Sequence, residues 1–255
     1  MLRSNPSCPV GDYPWKKYYW ERVMPAISYE EDYWGVASDP DGKKRNILDE
    51  WKDQVENFRH IISFLDNYNP GKILDVGSGP GFLLSGLNTE WKKYGIDISR
   101  KATEVCKKYA IMETGELPKA NYENSFFDVV TMIHVIEHIP IPLAYIDKVK
   151  QILKRDGIFI IETPDFDSPC AKRFGKNFRM LHDPGHISLF STNSLIRMLE
   201  DYDFEIISIE HPYFETKYFT EENLLKMMDV STISPPFYGN HVVIYAQNRK
   251  GINSK

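Results

Sequence analysis

The chain has 255 residues, 42% of them hydrophobic and 26% charged, and a formal net charge of −5. That length suits one good-sized domain, or one domain with an appended lid, and the composition excludes a disordered chain. No apolar stretch reaches the length of a membrane span, and an acidic chain has no global electrostatic footprint for duplex nucleic acid, so neither membrane nor nucleic acid is expected as a partner.

The opening residues lack the continuous apolar core of a signal peptide, which predicts a cytoplasmic protein. Cys8, Cys106 and Cys170 are far apart with no C-x-x-C pattern, so free thiols in a reducing compartment are expected. Aromatic residues crowd the stretch from Tyr13 to Trp34, and residues 1–45 are expected to form a strap over the core or an aromatic lid over a substrate pocket. Asp39-Pro40-Asp41-Gly42 marks a turn. From Asn46 to Asn67 apolar residues recur at helical spacing, predicting one amphipathic helix ahead of the Asn69-Pro70-Gly71 break.

Lys72 to Gly81, K-I-L-D-V-G-S-G-P-G, reads as a buried parallel strand running into a glycine-rich turn. Such a turn lets backbone approach a ligand and aims N–H groups at it. Asp75 is the only charged residue between Lys72 and Glu90. Taken alone the glycines fit a dinucleotide, a phosphate, S-adenosylmethionine or a plain tight turn, although the third glycine falls one residue early for the dinucleotide fingerprint. A helix from Phe82 to Leu87, a strand from Trp91 to Ile96, a helix from Arg100 to Tyr109 and a polar loop from Glu113 to Asn124 follow. Next come a strand from Phe126 to Ile133, a helix from Ile141 to Leu153 with Pro142 in its first turn, and a strand from Gly157 to Glu162. This alternation predicts an α/β fold with a parallel sheet and helices on both faces. Pro164 to Ser188 reads as a long functional insertion. Ser191 caps a helix to about Asp201, and Phe204–Ile209 and His241–Ala246 form a late β pair around a second variable stretch, 211–240. Ser234-Pro235-Pro236-Phe237 precedes the last strand and is read as a turn.

Asp97, closing the second strand, stands where a doubly wound nucleotide-binding fold places an acid for the ribose hydroxyls. A helix cap is the competing role, but Ser99 suits that better. His134, Glu137 and His138 share one face if a helix begins after the fourth strand, which makes them candidates for general-base chemistry. His182 and His186 lie four apart across a Pro-Gly turn, and His186 is favoured because Phe190-Ser191 fixes its register with the next helix.

The ordered blocks I-L-D-V-G-S-G-P-G, Y-G-I-D-I-S, G-E-L-P, F-F-D-V-V-T-M-I-H-V-I-E-H-I and L-K-R-D-G-I-F-I-I-E-T-P resemble class I S-adenosylmethionine-dependent methyltransferases over about residues 45 to 250. The resemblance is to ubiquinone-biosynthesis-type enzymes and bacterial sugar and small-molecule methyltransferases. It implies a doubly wound, mostly parallel seven-stranded sheet with an antiparallel last strand, within a methyltransferase domain spanning 46–255 and carrying insertions at 164–188 and 211–240. It also implies that Asp75, Gly77, Ser78, Gly79 and Gly81 cradle the methionine half of S-adenosylmethionine. Asp97 would hold the ribose, Ile98, Glu113 and Thr114 would meet the adenine, and Ile133 and His134 would border the sulfonium. A block similar to H-x-x-x-H-x-x-x-F-S borders the acceptor site in relatives, which points to His186. Some ubiquinone-type relatives read Glu, Glu, His at the positions of His134, Glu137 and His138 and are associated with a divalent metal; His134 in the first place leaves that metal open. The expected activity is methylation of a polar small molecule, a sugar or surface-glycan precursor, on oxygen with a histidine base. A cofactor-binding regulatory or assembly subunit without turnover is the alternative.

Overall fold

A computed structural model of the chain describes residues 37–38, 44–183, 185–212, 218–236 and 240–249. Nearly all of the aromatic segment expected as a lid lies outside these residues; within it fall only the short antiparallel strands β1 (Ala37–Ser38) and β2 (Lys44–Arg45).

The body is a seven-stranded sheet built from β3 (Lys72–Val76), β4 (Lys92–Asp97), β5 (Ile111–Thr114), β6 (Phe127–Ile133), β7 (Leu153–Pro164), β8 (Phe204–Glu210) and β9 (His241–Asn248). Its spatial order is β5-β4-β3-β6-β7-β9-β8. β9 slots antiparallel between β7 and β8, and the strands from β5 to β7 pair in parallel, as the resemblance implied. The helices are α1 (Trp51–Glu56), α2 (Arg59–Leu65), α3 (Phe82–Gly86), α4 (Arg100–Cys106), α5 (Pro142–Ile152), α6 (Pro169–Phe174), α7 (Thr192–Glu200) and α8 (Glu221–Lys226). Among the described residues no helix is long and apolar enough to cross a membrane.

Strand side chains alternate between the two faces, so each apolar run feeds two cores. Leu74, Val76, Ile96, Val130 and Met132 pack with Ile146 and Val149 of α5 and Leu195 of α7 on one face. Ile73, Val129, Ile158, Ile160 and Val243 pack with Ile61 and Leu65 of α2 and Leu83 of α3 on the other. Burial on both sides is why these strands read as continuous hydrophobic runs rather than alternating ones.

Several expectations are corrected. The helix expected over 46–67 is two shorter ones, broken where the Phe58 N–H bonds three residues back to the Val55 carbonyl. The polar loop expected from Glu113 begins instead inside strand β5, whose edge position leaves Ile111 exposed and so hid its pattern. β7 starts before Gly157, because Leu153 pairs with Phe127 and the register then shifts to Val129 and Ile158. The helical face expected for His134, Glu137 and His138 is absent. His134 takes a left-handed conformation (φ 53°), and only Ile136–His138 form one 3-10 turn. Residues 164–188, expected as an insertion, contain α6 and two 3-10 turns, with Cys170, Phe174, Phe178 and Met180 as a small core of their own.

Candidate functional site

Buried polar residues gather toward the carboxyl ends of β3, β4, β6 and β7, among them Asp75, Asp97, Thr131 and Glu162. The turn after β3 packs against the segment after β6. Gly77 has φ 68°, and a Cβ there would fall 2.3 Å from Val135 Cγ2, so both its conformation and the space require glycine. Gly81 caps α3 in the left-handed region at φ 97°. Gly79 N–H donates to Asp97 Oδ2 at 2.8 Å, and Ser99 N–H donates to Oδ1 at 2.8 Å. Ser99 itself caps α4 by accepting from the Ala102 N–H. Two backbone N–H groups thus hold the Asp97 carboxylate at the mouth of the glycine turn.

Two observations make this turn a fit for a polar ligand such as the cofactor. Ser78 Oγ is buried without a hydrogen-bond partner among the described residues. Asp75, also buried, receives the Thr131 hydroxyl at 2.7 Å, and burial pushes its carboxyl up to about 7. A ligand ammonium beside it would offset that cost. Glu113 and Thr114 sit on β5 opposite Ile96 and Asp97, with the Thr114 hydroxyl 3.0 Å from that of Thr103. Ile98 is half exposed, and Ile133 is buried at the end of β6.

Beyond β6 lies a second group of polar side chains in two linked halves. In one, Glu162 of β7 meets His60 of α2 at 3.3 Å, His134 Nε2 at 3.4 Å and His241 Nδ1 of β9 at 4.0 Å. In the other, fully buried Glu137 meets His134 Nδ1 at 3.4 Å and accepts the Thr163 hydroxyl at 3.0 Å. His138 and His186 lie beside it with ring centroids 4.9 Å apart. His138 Nδ1 is 2.8 Å from the Gly185 carbonyl, and His186 Nδ1 is 2.9 Å from the Met180 carbonyl. A carbonyl only accepts, so both Nδ1 atoms carry protons and Nε2 is the basic nitrogen of each neutral ring.

Burial works against charge on His60, His134, Glu137, Glu162, His186 and His241, and the neighbours decide the outcome. Burial would lower His134 and His60, but the Glu137 and Glu162 carboxylates raise His134, and Glu162 raises His60. Burial would raise the two glutamates, and His134 holds both below the ordinary carboxylate range. His241 and His186 are lowered by burial, so they stay neutral. Either half has a donor set able to hold a metal. His134, Glu162 and His241 each offer a ligand atom within 4.8 Å of the others, as do Glu137, His138 and His186.

The structure thus brings His134, Glu137, His138 and His186 together at the sheet's carboxyl edge, while His182 is exposed and bonded to the Lys176 carbonyl. Sequence reasoning missed His60, Glu162 and His241. Glu162 carried a signal, a lone acid ending an otherwise apolar strand, as Asp75 does; His60 and His241 carried none, since only tertiary packing joins them.

Residues 39–209 match the family described as a methyltransferase domain. An uncharacterized protein of Methanocaldococcus jannaschii is 28% identical over 66% of this chain and 82% of its own length. The ubiquinone biosynthesis O-methyltransferase of Haemophilus ducreyi is 32% identical over 42% of this chain, and the match spans half of that enzyme's length. Among solved structures, an S-adenosylmethionine-dependent methyltransferase of Archaeoglobus fulgidus covers 78% of this chain and 98% of its own, with a TM-score of 0.57 at 18% identity. A Thermotoga maritima enzyme described as a possible histamine N-methyltransferase covers 80% of this chain and 96% of its own, with a TM-score of 0.56 at 19% identity. With the glycine turn, the acid after the second strand of the sheet body and the antiparallel last strand in place, the chain belongs to the methyltransferase domain family and is a class I S-adenosylmethionine-dependent methyltransferase.

Proposed function

We propose that the chain methylates a hydroxyl oxygen of a polar small molecule, of the sugar or surface-glycan precursor class, with His138 as general base. S-adenosylmethionine supplies a methyl group already activated by its positive sulfonium, so the protein's work is to align the acceptor and remove its proton. Asp75 and the turn from Gly77 to Gly81, with Ser78 Oγ, hold the methionine half. Asp97 holds the ribose, and Ile98, Glu113 and Thr114 flank the adenine. Ile133 and His134 border the point of transfer.

The observation that carries the choice of base is the hydrogen bond from His138 Nδ1 to the Gly185 carbonyl, which makes Nε2 the proton acceptor. His138 is partly open, whereas His186 is buried. Glu137 beside both rings stabilises the imidazolium formed when the acceptor's proton arrives.

The test is release of S-adenosylhomocysteine from a panel of hydroxylated acceptors. His138→Gln is expected to lower kcat by about 10²–10⁴-fold with cofactor affinity unchanged. Wild-type turnover in that variant removes His138 as the base. No turnover by the wild type on any acceptor, despite cofactor binding, favours the binding-subunit alternative.

A further inference from the structure

We propose that His134, Glu162 and His241 form a binding site for a divalent transition metal, with His60 as the supporting residue that orients Glu162. The proposal stands apart from the choice of acceptor and base. Three elements deliver the ligands: the turn after β6, the end of β7 and the start of β9. They are fixed to one another by backbone, since the His134 N–H donates to the Glu162 carbonyl at 2.9 Å and β7 pairs with β9 from Ile158 to Pro164.

The spacing favours an ion over a plain ion pair. His134 Nε2 is 3.4 Å from Glu162 Oε1, longer than the roughly 2.7–2.9 Å of a charge-assisted hydrogen bond. Two ligand atoms each about 2.1 Å from a tetrahedral ion lie about 3.4 Å apart. His241 Nδ1 stands 4.0 Å from the same carboxylate oxygen and has only a few tenths of an ångström to close. The His134 and His241 rings meet edge to face at 4.6 Å, so both present nitrogens toward Glu162 without stacking over it.

The surroundings are those of a supported site. Glu162 is 6% exposed, and its second oxygen, Oε2, meets His60 Nε2 at 3.3 Å, the outer contact that steadies a ligating carboxylate. Two imidazoles with one carboxylate suit zinc, cobalt or nickel rather than calcium or magnesium, which prefer oxygen alone. Three protein ligands leave a fourth position, and the 41% exposure of His134 opens the site on that side. His134 must give up its proton to take the ion, so binding releases a proton and strengthens as the pH rises.

Chelator-stripped protein is titrated with Zn²⁺ and with Co²⁺, followed by elemental analysis and, for Co²⁺, by visible absorption. One ion per chain is expected, with an absorption band typical of low coordination number. His60→Ala is expected to weaken binding roughly 10–100-fold, and His241→Ala and Glu162→Gln to weaken it further. S-adenosylhomocysteine binding serves as the check that His241→Ala and Glu162→Gln remain folded, and His241→Gln replaces the alanine variant if that does not fold. His186→Ala should keep the ion. The proposal is overturned if no stoichiometric ion binds, if His241→Ala binds as the wild type does, or if only His186→Ala loses the ion, since the site would then lie between Glu137, His138 and His186. Each result is read without methyl transfer, so failure here is distinct from failure of the proposed activity.

Discussion

Asp75 is a charge placed where water cannot reach it. Burial raises its carboxyl to about 7, the Thr131 hydroxyl opposes that rise, and the nearby Asp97 charge adds to it. A carboxyl raised in the folded state costs stability as pH climbs from its unfolded value near about 4 toward 7, and the cost is complete above that. Such a group persists because something repays it, and in the proposed site that is the ammonium of the cofactor's methionine half. The ammonium needs the ionised form. Affinity for S-adenosylhomocysteine should therefore rise between pH 6 and pH 8, by up to about tenfold for a group titrating at the midpoint. Asp75→Asn should bind more weakly and lose the pH dependence. Calorimetry across that range decides it, and a flat wild-type profile would exclude the ammonium contact.

The glycine turn and the histidine group meet where the turn after β3 is pressed against the turn after β6. Gly77→Ala meets two separate penalties there: a left-handed backbone, at about 1–2 kcal/mol for a residue with a Cβ, and the collision with Val135 Cγ2. The double variant Gly77→Ala/Val135→Ala removes the collision and leaves the backbone term. Denaturant melts should accordingly show the double variant less destabilised than the sum of its two single changes. Strict additivity would mean that the turns do not touch. The glycine turn was legible in the sequence because conformation and close approach restrict those positions to one residue type. The five strands from β3 to β7, apart from the edge strand β5, were legible as apolar runs because they are buried on two faces. What was not legible depends on partners distant in sequence. The turn at His134 looked helical because His134, Glu137 and His138 have helical spacing, yet its backbone is set by contacts with β7 and with Ile187 and Ser188. His60 and His241 gain meaning only from Glu162, more than 70 residues from each.

At the scale of the molecule, the described residues of 164–188 and 218–236, expected to belong to two insertions, are fastened to one another as one cap. Arg173 Nε donates to the Met227 carbonyl, Asn177 Nδ2 to the Val230 carbonyl and Ser234 N–H to the Asn177 carbonyl, while Ser234 Oγ accepts the Arg179 N–H. The Ser-Pro-Pro-Phe stretch thus begins with a buried serine that fastens one insertion to the other. The cap's core around Cys170, Phe174, Phe178 and Met180 is separate from the two sheet cores, with Met227 of the second insertion packed against it. It touches the sheet edge at the proposed base, where Ile187 and Ser188 N–H groups donate to the Glu137 carbonyl. Phe178 is fully buried in this small core, and Phe178→Ala should cost about 3–5 kcal/mol. Because the cores are separate, the loss should fall on the cap alone: amides of residues 166–189 lose hydrogen-exchange protection while those of β3, β4 and β6 keep theirs. Cofactor affinity, which the proposed site assigns to the glycine turn and Asp97, should stay at the wild-type value. Acceptor turnover should fall, since Gly185 fixes the His138 tautomer from within the cap. Exchange measured with and without S-adenosylhomocysteine separates the outcomes: simultaneous loss of protection in the sheet would mean that cap and sheet unfold as one unit, and unchanged turnover would mean that the cap does not orient the base.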